Sequence, residues 1–392
     1  MPRMGSEAAA WLATQSQEID EALGELVRLN SFTENAAGGR AVGQRLLARF
    51  AMEGLAAELV PSATYADHLV FRSVGRGDQA PIALLGHVDT VFPPGVFEGY
   101  VTDGPRRRGP GVYDMKGGLV AMAWGLKAVA KTVGLDAVPP LRVVIVSDEE
   151  VGSPEGAPLI RRVIAGAQAC LVFEPGRSND AVVTQRKGTG TVRVVATGVA
   201  AHAGNSYWQG ANAIWSLSRF VDAAQRLSSQ ETGVTVNVGT ISGGTTKNTV
   251  PAAAWAGVDL RYGTAREGEA LVERLRQLAG EVALPGTSLA IELGPNRAPM
   301  ERTPATEALA ASYARVATPA GLGAGEAPLQ SGGSDGNTAA ALGIPTIDAL
   351  GPRGGGFHTV GEFIDFDTVL ARATALADLL TALSAGARSA AG

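Results

Sequence analysis

The chain has 392 residues, 45% of them apolar, a net charge of −5 and one cysteine. Its length exceeds the roughly 250–300 residues that one core usually serves, so two domains are expected. The acidic balance leaves no basic field for nucleic acid or a membrane surface. The lone Cys170 excludes an intrachain disulfide framework, and no uninterrupted apolar run of about 18 residues could span a bilayer. Met1 to Glu18 shows no basic region leading into an apolar one, so no secretory signal is expected and a cytoplasmic protein is. Cys170 sits among Ala169, Leu171, Val172 and Phe173 and reads as a buried strand residue. The triplet Arg106-Arg107-Arg108, in a Gly/Pro loop, reads as solvated or at most a local anion contact.

From Ala8 to about Leu59 apolar residues recur at helical spacing (Leu23, Leu26, Val27; Val42, Leu46, Leu47, Phe50), and two helices are predicted, broken by a loop from Asn35 to Gly39. Strands then alternate with helices: strand Leu69 to Val74, strand Ile82 to Leu85, helix Gly117 to Thr132, strand Leu141 to Ser147, helix Ala157 to Ala165, strand Ala169 to Phe173. That alternation predicts an α/β domain with a mostly parallel sheet covered on both faces. After about Gln185 the pattern changes. A strand around Val192 to Val195, helix Ala211 to Leu227, strands Thr235 to Ile241 and Ala253 to Arg261, helix Glu267 to Glu281 and strand Ser288 to Leu293 give β-α-β-β-α-β, a small ferredoxin-like α+β domain. Helix Thr306 to Ala317, strand Pro345 to Leu350 and helix Asp367 to Ala385 resume the first pattern. The expected domains are therefore 1–187 with 299–392, and an insertion at 188–298. The Ala/Gly-rich tail from Ser384 is expected to be mobile.

The polar residues gather where those strands end. Leu84-Leu85-Gly86-His87-Val88-Asp89-Thr90 closes a strand on a histidine and an aspartate two positions apart, hence on one side of it. Asp89 can take the second ring N–H of His87 and fix the tautomer of a metal-bound imidazole. Asp114 precedes a helix in the glycine-flanked Gly109 to Gly118. Asp148-Glu149-Glu150 ends one strand, Glu174-Pro175-Gly176 another, and His358 follows three glycines. In an open α/β sheet, ligands bind at the carboxyl ends of the strands, so these residues can converge. Burying so many carboxylates without a cation is costly, and a pair of divalent metal ions resolves it. Asp114 is placed to bridge; His87 and Glu174 complete one ion, Glu150 and His358 the other. Glu149, expected to point away from Glu150, is left to deprotonate a water between them, which is hydrolysis chemistry. Zinc, cobalt and manganese all accept such a shell, zinc being the expectation.

This set resembles the co-catalytic zinc metallopeptidase family of glutamate carboxypeptidase, aminoacylase, acetylornithine deacetylase and succinyl-diaminopimelate desuccinylase. The resemblance runs from Gly86-His87-Val88-Asp89-Thr90-Val91 through Asp114-Met115-Lys116-Gly117-Gly118, Asp148-Glu149-Glu150-Val151-Gly152-Ser153 and Phe173-Glu174-Pro175 to His358. It implies the same ligand set, Asp89 as orienting partner, Glu149 as general base and a cis peptide after Asp114. It also implies that the insertion is a lid and dimerisation domain, giving a homodimer. In Ala200-Ala201-His202-Ala203-Gly204, His202 would hydrogen-bond the oxyanion at a partner subunit's site, or domain closure would supply the same group, with alanine where the family's serine stands. Asn248, Arg261, Arg297, Gly332 and Gly333 resemble positions that hold the substrate's free carboxylate. Arg261 reads equally as a strand-end salt bridge.

His87-Val88-Asp89-Thr90-Val91-Phe92-Pro93 and Leu350-Gly351-Pro352 resemble the glutamate carboxypeptidase type most. The expected activity is an exopeptidase releasing a C-terminal amino acid such as glutamate from an N-acyl or peptide substrate. The alternative is an N-acyl-amino-acid deacylase with the same metal residues. A binding protein that has lost catalysis is disfavoured because Glu149 is present. Asn205-Ser206-Tyr207-Trp208-Gln209 departs from the family's small residues and proline, either shaping an acyl pocket or packing the lid. Gly321-Leu322-Gly323-Ala324-Gly325 follows no strand and is poor evidence for a nucleotide site.

Overall fold

The computed structural model describes residues 6–389. The chain divides into two compact units, 1–184 with 302–328 and 334–392, and 185–301 with 329–333. The short segment 329–333, which sequence reasoning assigns to the first domain, groups with the inserted one.

The first unit is built on a six-stranded sheet in the order Leu55–Val60, His68–Ser73, Leu141–Val146, Ile82–His87, Ala169–Val172, Thr346–Ile347. The last four run parallel, and the first two add an antiparallel edge. Ile82–His87 is buried along its whole length, as a strand covered on both faces must be. One face packs on Gly117–Thr132 and Asp367–Ser389 through Leu84, Val143, Leu171, Leu119, Trp124 and Leu376. The other packs on Gly156–Ile164 through Leu85, Val144, Val172, Ile160 and Cys170. Cys170 is fully buried.

The N-terminal region differs from expectation in three ways. Glu7–Thr14 and Ser16–Val27 are separate helices. Asn35 is no loop residue but the cap of Ala36–Arg49, its side-chain oxygen accepting the Gly38 N–H. Leu55–Val60 is an edge strand whose mostly exposed residues hide the alternation that would have marked it. A second small sheet, Gly354–Gly355, Phe363–Asp365, Arg106–Arg108, Val101–Asp103, is too short and too Gly/Arg-rich for a pattern. It overturns the solvated reading for the middle residue of the arginine triplet, while Arg106 and Arg108 are exposed as expected. Arg107 is buried, donating Nε and Nη2 to Asp20 at 2.8 and 2.7 Å, and stacks over Phe366. The tail is helical to Ser389, with Ser384 buried and donating to the Ala137 carbonyl at 2.6 Å. Met1–Gly5 and Ala390–Gly392 lie outside the described residues. No helix among the described residues is long and apolar enough to cross a membrane.

The second unit is a four-stranded antiparallel sheet, Thr235–Gly243, Ala253–Tyr262, Gly188–Thr197, Ser288–Arg297. Val192, Val194, Ala256, Val258 and Leu260 point to one face and pack on helices Ala213–Gln225 and Ala265–Val282. The intervening residues are exposed or half-buried, the period-two pattern of a one-sided sheet.

Candidate active site

Because the last four strands of the sheet run parallel, their carboxyl ends open on one edge of the sheet, and each ends beside a polar residue. His87 closes its strand; Asp148-Glu149-Glu150 follows Val146; Glu174 follows Val172 by two residues; Asp348 follows Ile347. Asp114 comes to the same place from the segment Val112–Lys116, whose backbone leaves helical geometry at Asp114 (φ −116°, ψ 92°), where the Asp114–Met115 peptide is cis. The next helix must approach closely. A Cβ at Gly118 would lie 2.1 Å from the Phe173 carbonyl oxygen, so only glycine fits.

Asp114 stands between the two histidines. Its Oδ1 is 3.2 Å from His87 Nε2 and its Oδ2 is 3.4 Å from His358 Nε2. Glu174 Oε1 lies 3.8 Å from His87 Nε2, and Glu150 Oε2 3.2 Å from His358 Nε2. Ligand atoms of His87, Glu149 and Glu174, and of His87, Asp114 and Glu150, each fall within 4.8 Å of one another. Glu150 Oε1 is buried with no hydrogen-bond donor, which a cation would satisfy. Imidazole nitrogens and carboxylate oxygens in this number fit a pair of divalent ions. His358 takes a left-handed φ of 61°, unusual for a residue with a Cβ and of the kind stored at functional sites.

Asp89 is the hub beneath. Its Oδ1 lies 3.3 Å from His87 Nδ1 and accepts Glu149 N–H at 3.1 Å; its Oδ2 accepts Glu150 N–H at 3.1 Å and the Thr33 hydroxyl at 2.9 Å. His87 Nδ1 also meets the Asp89 carbonyl at 3.0 Å. Glu149 and Glu150 lie in a single 3₁₀ turn, Glu149–Val151, not in the strand. The expectation that strand alternation sends them to opposite faces is therefore corrected: the chain turns after Val146, and Asp89 fixes both amides.

The charges show the same compensation. Burial lowers the His87 imidazole, but hydrogen bonds to Asp114 and Asp89 outweigh it and hold it well above its ordinary value. Hydrogen bonds to Asp114 and Glu150 lift His358 to about 10. Burial, then the Asp114 charge, pushes Glu174 well up, and burial raises Glu150. Against burial, the two histidines hold Asp114 below the usual carboxylate range. Without a cation, protons on the imidazoles balance the cluster.

A model of the peptidase family M20/M25/M40 matches residues 83–382, a span that includes all the candidate ligands, Asp89 and Glu149. The chain belongs to this family. Carboxypeptidase G2 of Pseudomonas sp. (strain RS-16) is 28% identical over 95% of the chain and 91% of its own length. Among solved structures, the aminopeptidase PepT of Bacillus cereus superposes with a TM-score of 0.75 at 21% identity, covering 94% of this chain and 98% of its own. A dinuclear metal-binding peptidase of the family from Bacillus subtilis gives 0.70 at 16%, covering 95% and 99%. The protein is thus a hydrolase of the peptidase or acylase type, with the mixed α/β fold of its family.

The other residues singled out in sequence belong to the second unit. His202 is exposed, and its Nδ1 accepts the Gly204 and Asn205 N–H groups, each at 3.1 Å, which leaves the proton on Nε2 as a donor. Asn248 is exposed, its carbonyl accepting Ala203 N–H at 2.9 Å. Arg261 lies on the sheet face opposite the helices and pairs with Asp259 at 2.8 Å, the salt-bridge reading. Arg297, partly buried, ends the last strand. The Gly332 carbonyl accepts from Arg186 at 3.1 Å, and Gly333 adjoins it in the chain. Tyr207 and Trp208 pack edge to face on each other, and Trp208 is 93% exposed.

Sequence reasoning missed two groups in the first unit. Glu362, fully buried, accepts Gly111, Tyr113 and Asp114 N–H groups at 3.0, 2.7 and 2.9 Å, and burial raises it to about 7. Lys116, also fully buried, donates to the Leu29 carbonyl at 2.9 Å, and burial lowers it to about 7. Its place in Asp114-Met115-Lys116 was a usable signal; Glu362 had only its nearness to His358.

Proposed function

We propose that the protein is a two-metal exopeptidase of the carboxypeptidase type, releasing a C-terminal amino acid such as glutamate from an N-acyl or peptide substrate. The observation that carries this reading is Asp114, one carboxylate whose two oxygens face two histidines, each with its own glutamate. His87, Asp114 and Glu174 would hold one divalent ion, and Asp114, Glu150 and His358 the other, zinc fitting the donors with cobalt or manganese as substitutes. When bound, such ions polarise a scissile carbonyl and acidify water.

The chain's own groups do the rest. Glu149, its amide fixed on Asp89, takes the proton from the attacking water and returns it to the leaving amine nitrogen. Asp89 keeps His87 in one tautomer and orientation without itself being a ligand. His202 offers its Nε2–H to the oxyanion, and Asn248, Arg261, Arg297 and the Gly332 and Gly333 amides serve the substrate's free carboxylate. Arg261 can do so because its pair with Asp259 is half-exposed and thus only weakly held. A homodimer through the inserted unit is part of this reading. It is supported by the open edge of Thr235–Gly243 with exposed Ile241, and by exposed Trp215 on the neighbouring helix.

The test is a panel of N-acyl amino acids and α- and γ-linked dipeptides, offered to zinc- and cobalt-loaded enzyme. Release of C-terminal amino acid, fastest for glutamate, is expected. Preference for small-acyl amino acids over every dipeptide would favour a deacylase, and inertness to the whole panel would remove the reading.

A further inference from the structure

The bridging carboxylate is held by a residue from the far end of the chain. Glu362 Oε2 takes Gly111 N–H, and Oε1 takes both Tyr113 and Asp114 N–H, so one buried carboxylate gathers three amides of the Asp114 loop across about 250 residues of sequence. No regular helix or strand satisfies these amides, since the backbone leaves helical geometry at Asp114 and Met115. Glu362 itself belongs to the His358 turn, which is closed by Thr359 N–H on the Gly356 carbonyl at 3.0 Å and Glu362 N–H on the Thr359 carbonyl at 3.1 Å. The opposite side of the loop is gripped by Lys116, whose ammonium donates to the Pro110 carbonyl at 3.4 Å.

We propose that Glu362 is a positioning residue for the metal pair: it ties the Asp114 loop to the His358 turn and so sets the separation of two ligands of one ion. The ion bound by Asp114, Glu150 and His358 therefore depends on a side chain that does not touch it. A carboxylate suits the task because every partner is a donor. An amide in its place would turn an N–H toward a backbone N–H, leaving a buried donor unsatisfied and the loop able to move.

This inference rests on the two-ion reading above, and the experiment separates the two. Zinc-stripped wild type, Glu362→Gln and Glu362→Asp are titrated with zinc against a chromophoric chelator. Their cobalt forms are compared by visible absorption, and their metal-free forms by circular dichroism and urea unfolding. Wild type should take up two ions. Glu362→Gln should bind one of them about 10–100-fold more weakly, with an altered cobalt spectrum. Glu362→Asp keeps the charge but falls short by one methylene, and should show a smaller loss of the same kind; it carries the test alone if the glutamine variant does not fold. Wild-type affinities and spectrum in the folded variants, even with lowered stability, would overturn the positioning role and leave the two-ion reading standing. No ion in the wild type would overturn both.

Discussion

The two units use their sheets in opposite ways. In the first, parallel strands such as Ile82–His87 and Ala169–Val172 are buried along their whole length, so polar side chains have only the strand ends to occupy. In the second, strands Gly188–Thr197 and Ala253–Tyr262 alternate buried and accessible residues, and one face is left for polar groups such as Arg193, Asp259 and Arg261. The contrast explains why the candidate ligands crowd one edge in the first unit, at positions scattered from 87 to 358, while the residues of interest in the second are spread over loops and an open face. Burial on both sides concentrates chemistry; burial on one side disperses it.

The sharpest way to break that contrast is to remove the base from the crowded edge. Glu149→Ala should lower kcat by about 10²–10⁴-fold while metal analysis still finds the ions; undiminished turnover would refute its role. Next in size is a paired truncation. Leu84→Ala, in the fully buried strand, should cost about 2–5 kcal/mol in urea unfolding. Leu293→Ala, with a side chain 54% exposed in the second unit, should stay within about 0.5 kcal/mol. Equal effects would mean that the two sheets are not buried differently. Asp89→Ala should weaken metal binding by about 10–100-fold in an equilibrium titration, since it removes the partner of His87 and of two amides. A fully active, fully loaded variant would count against it.

The smallest effect is one of pH. In the metal-free protein His358 is raised from 6.5 to about 10 by its hydrogen bonds to Asp114 and Glu150. The folded state therefore binds that proton more tightly than the unfolded one. Its contribution to stability is full below the unfolded value of 6.5 and is lost as pH rises through about 10. The urea midpoint of stripped protein should fall over that window, modestly because the ring is half-exposed, and His358→Ala should flatten the slope. An unchanged slope would contradict the pairing.

Much of this was legible in the sequence because strand ends mark themselves: an apolar run closing on His87, Glu149 or Glu174 is a local pattern. The helix Gly117–Thr132 could be read to the residue, and the β-α-β-β-α-β order of the insertion followed from period and turns. What could not be read depends on contacts distant in sequence. Arg107 looked solvated because Asp20, its partner, is 87 positions away. Glu362 drew no notice because its partners begin 248 positions back. The turn at Glu149 and Glu150 is shaped by Asp89, so a rule based on strand alternation could not anticipate it.

The central claim is that Asp114 joins two metal sites at the carboxyl edge of the parallel sheet. Anomalous scattering from crystals grown with zinc tests it most directly. The account predicts two peaks per chain, one beside His87 and Glu174 and one beside Glu150 and His358, with Asp114 touching both. A single peak, or none at these residues, would contradict it.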